Sequence, residues 1–390
     1  MVRIASFNVE NLFSRPKVFK TTGWTQNQPI FDAYYGVNGL MALPQYGPAE
    51  KAAMVGHLLT LEIYVRNAQG AIRKNHTTEP KWAWMRKNRG TFDREPQDPT
   101  KDVEIVATGR DEWTGWVELA REAANEVGTR MTAQVLRDVN ADVQAIVEAE
   151  DRPSLVRFNE QLLGGLYGSP FDHVMLVDGN DERGIDVGLM TRAGFDIVSM
   201  RSNVDVPDPG SPGEWLFSRD CADYELRTPS GATLRVLVNH FKSQSGGGGG
   251  KRLRQSTKVR EIVDGLVAAG QDVIVLGDFN EGQPAVGQAP VNLPNLFDPA
   301  GPLTSVWDLP TFDPGLPKLG TWDSCGIRNR LDYIMLSASL VPKVTGGGVW
   351  RKGLWGSRKT PPTDWAIYPE MTAGEEQASD HAAIYVDLNL

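Results

Sequence analysis

The side chains of this sequence best suited to chemistry are Asn8, Glu148, His240, Asp278 with Asn280, Asp332, and Asp380 with His381. Each falls at the end of an apolar, strand-like run, and strand ends of a packed sheet can converge on one mouth even when far apart in sequence. Together they supply hard oxygen ligands for Mg²⁺ or Mn²⁺, a carboxylate to activate water, amides to hold phosphate oxygens, and histidines to stabilise charge. That is the inventory of metal-assisted phosphoester cleavage. The sequence has no His-Glu-x-x-His, no paired Cys-x-x-Cys and no Gly-x-Ser-x-Gly, so zinc protease, zinc ribbon and serine hydrolase chemistry lack their residues. The glycine run Gly246 to Gly250 before Lys251 fails the phosphate-loop pattern at Ser245 and Arg252 and reads as a flexible loop.

The elements that must position these residues follow from hydrophobic periodicity. Val2 to Asn8 reads as the first strand, ending in the polar cluster Asn8, Glu10 and Asn11. Trp116, Leu119, Ala123, Val127, Met131, Val135 and Val139 recur at helical spacing and lead into a buried strand from Ala141 to Val147. Further strands are predicted at 171–177, 185–191, 195–200, 224–227, 234–239, 273–276, 331–336 and 382–387, with one clear helix over about 252–269. Neighbouring strands without helices between them pair antiparallel, which favours a mixed-sheet sandwich over a doubly wound parallel sheet. Residues from about 15 to 112 are rich in Gly, Pro, Trp and Tyr with weak periodicity, apart from a short helix around 50–66. They read as a long insertion with too few periodic apolar segments for a core of its own.

The chain has 390 residues, 41% hydrophobic and 23% charged, with eleven Trp, which suffices for a real core and excludes global disorder. No run approaches the roughly 18 apolar residues that span a bilayer, and Met1 leads straight into a strand-like segment with no leader. The expectation is a cytoplasmic protein, with secretion requiring a leader already removed. Cys221 and Cys325 read as reduced and structural, since a core of this size needs no staple. Net charge is -9, which argues against bulk coating of nucleic acid. The charge is segregated: residues 73–94, 251–260 and 350–360 carry net +5, +5 and +4, leaving -23 for the remainder. Basic loops on an acidic body suit a site for a phosphate-bearing substrate.

The segments SFNVEN at 6–11, VEAED at 147–151, VNHFKS at 238–243, LGDFNEG at 276–282, RLDYIML at 330–336 and SDHAAIYVDL at 379–388 resemble, in this order, the endonuclease/exonuclease/phosphatase superfamily with the deoxyribonuclease I-like fold. Any one of these motifs is weak alone; six in order are specific. The resemblance covers the chain except roughly 15–112 and parts of 283–325 and 340–375. It implies a four-layer α/β sandwich of two mixed, largely antiparallel sheets flanked by helices, in one domain over 1–390.

The resemblance also implies roles. Asn8 and Glu148 look like divalent-metal ligands, with Asp380 a further metal or outer carboxylate. Asp278 looks like the group that orients and deprotonates the attacking water, with Asn280 contacting the phosphate. His381 would face the phosphate, held in its tautomer by Asp332, and His240 looks like a second phosphate-facing histidine. Arg183 with Gly184 and Asp186 is expected to lend a phosphate contact and a partner for His240, and Lys242 is a third expected substrate contact. The glutamine that the family places before its metal-binding glutamate is Val147 here, so Glu150 stays open as an alternative to Glu148.

Taken singly, each residue has a plainer role: Asn8 capping a turn, Asp332 on a surface strand beside Arg330, Glu148 at a helix start, His240 in a core. His57, His76 and His173 keep that plainer role. Trp82 and Trp84 among Arg73, Lys74, Lys81, Arg86, Lys87 and Arg89 suit phosphate contact with base stacking, as do Trp350 and Trp355 in a basic loop at about 340–375. Tryptophans that merely anchor solvated loops explain them equally well. The expected activity is a Mg²⁺- or Mn²⁺-dependent phosphodiesterase, foremost a nuclease on DNA or RNA. A phosphodiesterase or phosphatase for a small-molecule or lipid head-group ester is the alternative. No membrane span and no obligate protein partner are expected.

Overall fold

The computed structural model describes residues 1–12, 17–20, 24–120, 126–181, 184–244 and 247–390. The chain divides into two compact units, Met1–Phe13 with Ala124–Leu390, and Ser14–Ala123. In chain order the elements are β1 (Val2–Leu12), α1 (Trp24–Met41), α2 (Pro48–Thr60), β2 (Tyr64–Arg66), β3 (Ile72–Lys74), β4 (Ala83–Arg89), β5 (Asp93–Arg94), β6 (Glu104–Ile105) and β7 (Thr114–Leu119). There follow α3 (Glu126–Val139), β8 (Val143–Ala149), α4 (Arg152–Phe158), β9 (His173–Leu176), β10 (Asp186–Thr191), β11 (Asp196–Arg201), β12 (Cys221–Arg227) and β13 (Thr233–His240). The last are α5 (Gly249–Ala268), β14 (Asp272–Asp278), β15 (Leu303–Ser305), β16 (Asp332–Ser337), β17 (Val344–Trp350) and β18 (Ala383–Leu388). Among the described residues no helix is long and apolar enough to cross a membrane.

The larger unit holds two six-stranded sheets, ordered β17-β18-β1-β8-β10-β9 and β11-β12-β13-β14-β16-β15. Each has one parallel pair, β1 with β8 and β13 with β14; the other pairings are antiparallel. The β13 to β14 connection carries α5, as a parallel pair requires a crossover. Alternation along each strand sorts residues between two faces. Ile4, Ala145, Val147 and Leu189 of one sheet meet Val236, Val238, Leu276 and Ile334 of the other in a shared core. On the outer faces, Ala5 and Phe7 pack with Met131 and Val135 of α3, while Leu237, Val273 and Val275 pack with Val259 and Val263 of α5. The layers are helix, sheet, sheet, helix, as expected from the sequence.

The Ser14–Ala123 unit differs from expectation: it has a core of its own, in which Val37, Met41, Met54, Leu58, Tyr64, Trp113 and Val117 are buried. This core is drawn from α1, α2 and six strands, four of which have only two or three residues, too short for periodicity to register. Trp116 and Leu119 do not belong to the helix predicted through them. They lie on β7, and the helix begins at Glu126. β17 was likewise missed within the predicted 340–375 loop, because Gly346, Gly347 and Gly348 erase its alternation.

Leu276 is fully buried between the sheets. Leu276→Ala is expected to lower unfolding stability by about 2–5 kcal/mol, seen as a lower urea midpoint at constant m-value; a change below about 1 kcal/mol would mean the sheets do not pack there as described.

Candidate active site

The ends of the parallel pairs β1/β8 and β13/β14 and the starts of the antiparallel strands β16 and β18 lie at one end of the sandwich. Strand register then aligns the chemistry: His240 pairs with Asp278, Asp278 with Asp332, and Asn8 with Val147, next to Glu148. Gly277 permits this alignment, since at φ +128° a Cβ would lie 2.0 Å from the carbonyl oxygen of Asn239.

Asp278 is the hub. Its Oδ1 accepts the Asn280 backbone N–H at 2.8 Å, and its Oδ2 accepts the side-chain amides of Asn8 and Asn280, each at 3.2 Å. His240 Nε2 stands 3.6 Å and His381 Nε2 3.8 Å from the same oxygen. Burial pushes the Asp278 carboxyl up to about 7, with Asp332 and Glu148 adding to the rise and His381 opposing it. His381 donates or accepts through Nδ1 at 2.8 Å from Asp332 Oδ2, which also accepts from Thr321 Oγ at 2.5 Å. Burial alone would lower the His381 imidazolium, but the carboxylates of Asp332, Asp380 and Asp278 hold its pKa well above the ordinary value. A charged Nδ1–H directed at Asp332 leaves Nε2–H facing the mouth.

Glu148 and Asp380 flank this centre. Glu148 Oε1 is 3.6 Å from His240 Nε2 and its carboxylate is partly exposed, whereas Glu150 lies beyond the end of β8. Asp380 is the more open carboxylate; its Oδ2 accepts Trp322 Nε1–H at 2.8 Å, and its backbone N–H is held by Glu10 Oε2 at 2.9 Å. Glu10, Glu148 and Asn280 all have φ between +49° and +67°, a region costly for non-glycine residues and concentrated where a site holds its backbone against preference.

The structure brings Asn8, Glu148, His240, Asp278, Asn280, Asp332, Asp380 and His381 together. Both amide hydrogens of Asn280 are directed at Asp278 and the Phe241 carbonyl, so it supports the carboxylate as well as facing the mouth. Lys242 follows β13, its backbone N–H held by Gln255. Asp186 opens β10 and accepts the Gly179 N–H at 2.7 Å. Arg183 lies outside the described residues. Arg219 lies along the His240 ring, its Nε and Nη2 3.1 and 2.8 Å from the two ring nitrogens. A guanidinium only donates, so a ring nitrogen of His240 must accept from it. Arg219, Thr321, Trp322 and Ser379 were missed; Ser379 alone had a signal, adjacent to Asp380 and His381, and its hydroxyl bonds the Asn8 carbonyl at 2.7 Å. In the 340–375 segment Trp355 and Arg351 are buried and Trp350 bonds Tyr368, so these tryptophans serve as anchors. Both cysteines are free and buried.

Residues 87–288 match the Endonuclease/Exonuclease/phosphatase family. No curated protein sequence matches the chain. Among solved structures, a mannosyl-6-phosphatase of Bacteroides thetaiotaomicron is 19% identical, with 68% of this chain and 92% of that one covered at a TM-score of 0.47. Truncated TDP2 of Caenorhabditis elegans is 18% identical, with 67% and 90% covered at 0.43. The human Nocturnin catalytic domain is 16% identical, with 69% and 88% covered at 0.45.

Burial pushes the Asp186 carboxyl up to about 7, with the Gly179 N–H opposing and Asp178 and Asp181 adding to the rise. The folded chain therefore keeps a proton that the unfolded chain releases from about pH 4 upward, and stability falls as pH rises toward 7. Asp186→Asn is expected to raise the melting temperature at pH 8 and to change it little near pH 4; a pH-independent difference would show that the carboxyl carries no such shift.

Proposed function

The chain belongs to the endonuclease/exonuclease/phosphatase family, and from that premise we propose that it is a divalent-metal-dependent phosphodiester hydrolase, foremost a nuclease cleaving DNA or RNA by in-line attack of water on phosphorus. The observation that carries this reading is the Asp278 carboxylate held between Asn8, Asn280, His240 and His381 at one mouth of the sandwich.

In-line displacement moves charge onto the equatorial and leaving oxygens of phosphorus, so donors fixed around it contribute most of the acceleration. Asp278, with its carboxyl near 7, suits removal of a proton from the attacking water near neutral pH. His381, charged and braced by Asp332, presents Nε2–H to a phosphate oxygen. His240 assists at the leaving oxygen, with Arg219 fixing its ring. Lys242, Arg183 and Asp186 are the proposed outer contacts to substrate.

Asn8, Glu148 and Asp380 are the residues that would hold Mg²⁺ or Mn²⁺. Their amide and carboxylate oxygens are the hard donors such ions take. Among the described residues no three His, Cys, Asp or Glu side chains form a ready-made cage, and Mg²⁺ needs only one or two carboxylates because it keeps several waters. The ion, when bound, would supply Lewis-acid stabilisation of charge developing on the phosphate.

Lys87 and Arg89, which pair with no carboxylate among the described residues, support a polyanionic substrate, whereas Lys251, Arg252, Arg254, Lys258 and Arg260 of α5 are each paired with a carboxylate. The net charge of -9 favours the second reading, a phosphatase or phosphodiesterase for a small-molecule or lipid head-group ester. Purified protein is to be assayed with Mg²⁺, Mn²⁺ or EDTA on single- and double-stranded DNA, on RNA, and on bis-p-nitrophenyl phosphate and p-nitrophenyl phosphate. Metal-dependent polymer cleavage, reduced about 10²–10⁴-fold in kcat by His381→Ala and by Asp278→Ala, is expected. Turnover of the small esters alone would replace the nuclease reading by the second one, and full activity in Asp278→Ala would remove the hub from the mechanism.

A further inference from the structure

Outside the catalytic centre, the antiparallel ribbon of β4 and β7 in the Ser14–Ala123 unit has two unlike faces. Ala83, Met85, Val117 and Leu119 turn into that unit's core. The cross-strand pairs Trp84 with Glu118 and Arg86 with Trp116 make the opposite face. Trp116 is 46% exposed and Trp84 half-buried, although indole rings of this size ordinarily go inside. The Arg86 guanidinium lies 5.4 Å from the Trp84 ring centroid and bonds Glu118 at 2.7 Å. β4 then runs into Lys87, Asn88 and Arg89, all exposed. Residues 81–89 contain four basic side chains and no acidic one; Lys81 and Arg86 are paired with Glu62 and Glu118 from elsewhere in the unit. Among the described residues neither Lys87 nor Arg89 pairs with a carboxylate; Arg89 reaches only the Asp111 carbonyl.

The ribbon is held from behind. Asn38 of α1 accepts the Val117 N–H at 2.8 Å and donates to the Val117 carbonyl at 3.0 Å, closing one edge of β7 with a side-chain amide. The exposed indoles thus sit on a braced strand pair, which lowers the ordering cost of binding.

We propose that this face docks single-stranded nucleic acid, with unpaired bases stacking on Trp84 and Trp116 and backbone phosphates meeting Arg86, Lys87 and Arg89. Trp84 and Trp116 are diagonal neighbours on the ribbon, their backbones roughly 7–8 Å apart in a regular antiparallel pair. A duplex hides the base faces that indoles bind, and an acidic protein would be matched by cations without them. The inference rests on the nuclease reading and extends it with a second contact surface.

The test is fluorescence anisotropy of a labelled single-stranded oligonucleotide with the full chain carrying Asp278→Ala, alone and combined with W84A/W116A or K87E/R89E. Loss of both indoles is expected to weaken binding at least about tenfold. K87E/R89E is expected to reduce the salt slope of log Kobs by about one or two. In the otherwise native chain, both pairs are expected to leave turnover of bis-p-nitrophenyl phosphate unchanged. Polymer cleavage by the native chain together with undiminished binding in both variants would overturn the ribbon inference and leave the nuclease reading standing. Absence of any polymer binding or cleavage by the native chain would overturn both, and loss of small-ester turnover in either variant would overturn the ribbon as an independent docking face.

Discussion

A carboxylate buried where two sheets meet must be hydrogen-bonded or it will not persist, and Asp278 imposes that condition on the two-sheet unit. Asn8 reaches it from the first sheet, Asn280 and His240 from the second, and His381 from the segment leading into β18. Glu148 facing His240 and Asp332 facing His381 repeat the connection across the seam. The polar cluster therefore closes one end of the sandwich, next to the apolar core between its sheets. Desolvation raises the carboxyl of Asp278 toward neutrality, which is what suits it to the proposed role of base.

The surrounding backbone is bent to serve this cluster. Positive φ at Glu10 and Glu148, within the last residues of β1 and β8, and at Asn280, two residues past β14, departs from ordinary strand backbone where these residues enter the site. Thr321 and Ser379 are the less conspicuous supports. The Thr321 hydroxyl bonds Asp332, and the Ser379 hydroxyl ties the β1 end to the segment that carries His381. Such bonds fix ring and carboxylate orientation, the property on which electrostatic stabilisation of a phosphoryl transition state depends.

The Ser14–Ala123 unit follows a different logic. Among its described residues the regular elements are two α-helices, one 3-10 turn at Lys17–Lys20 and short strand pairs, and its apolar residues collapse into a separate core with Trp113 and Tyr64 fully buried. With the interior supplied by Trp113, Phe92 and the α1/α2 residues, Trp84 and Trp116 remain on the outer face of the ribbon.

The alternation of β1, β8, β13, β14, β16 and β18 was legible from sequence because these strands bury one or both faces, and burial is what selects apolar residues at regular spacing. The candidate site residues were legible because they sit where that spacing stops, in motifs contiguous in the chain. Arg219 was not: it is fourteen residues before β13 in an irregular loop and acquires meaning only when folding lays it along the His240 ring. The core of the accessory unit was hidden for the same reason, since its two- and three-residue strands are stabilised by contacts distant in sequence and leave no period to read. Sequence by itself determined the strand inventory, the order of the motifs and the chemical types at the strand ends, all consequences of local spacing and burial. Only the tertiary structure decided which oxygen faces which nitrogen, because those pairings depend on strand register and on two sheets closing over one buried carboxylate.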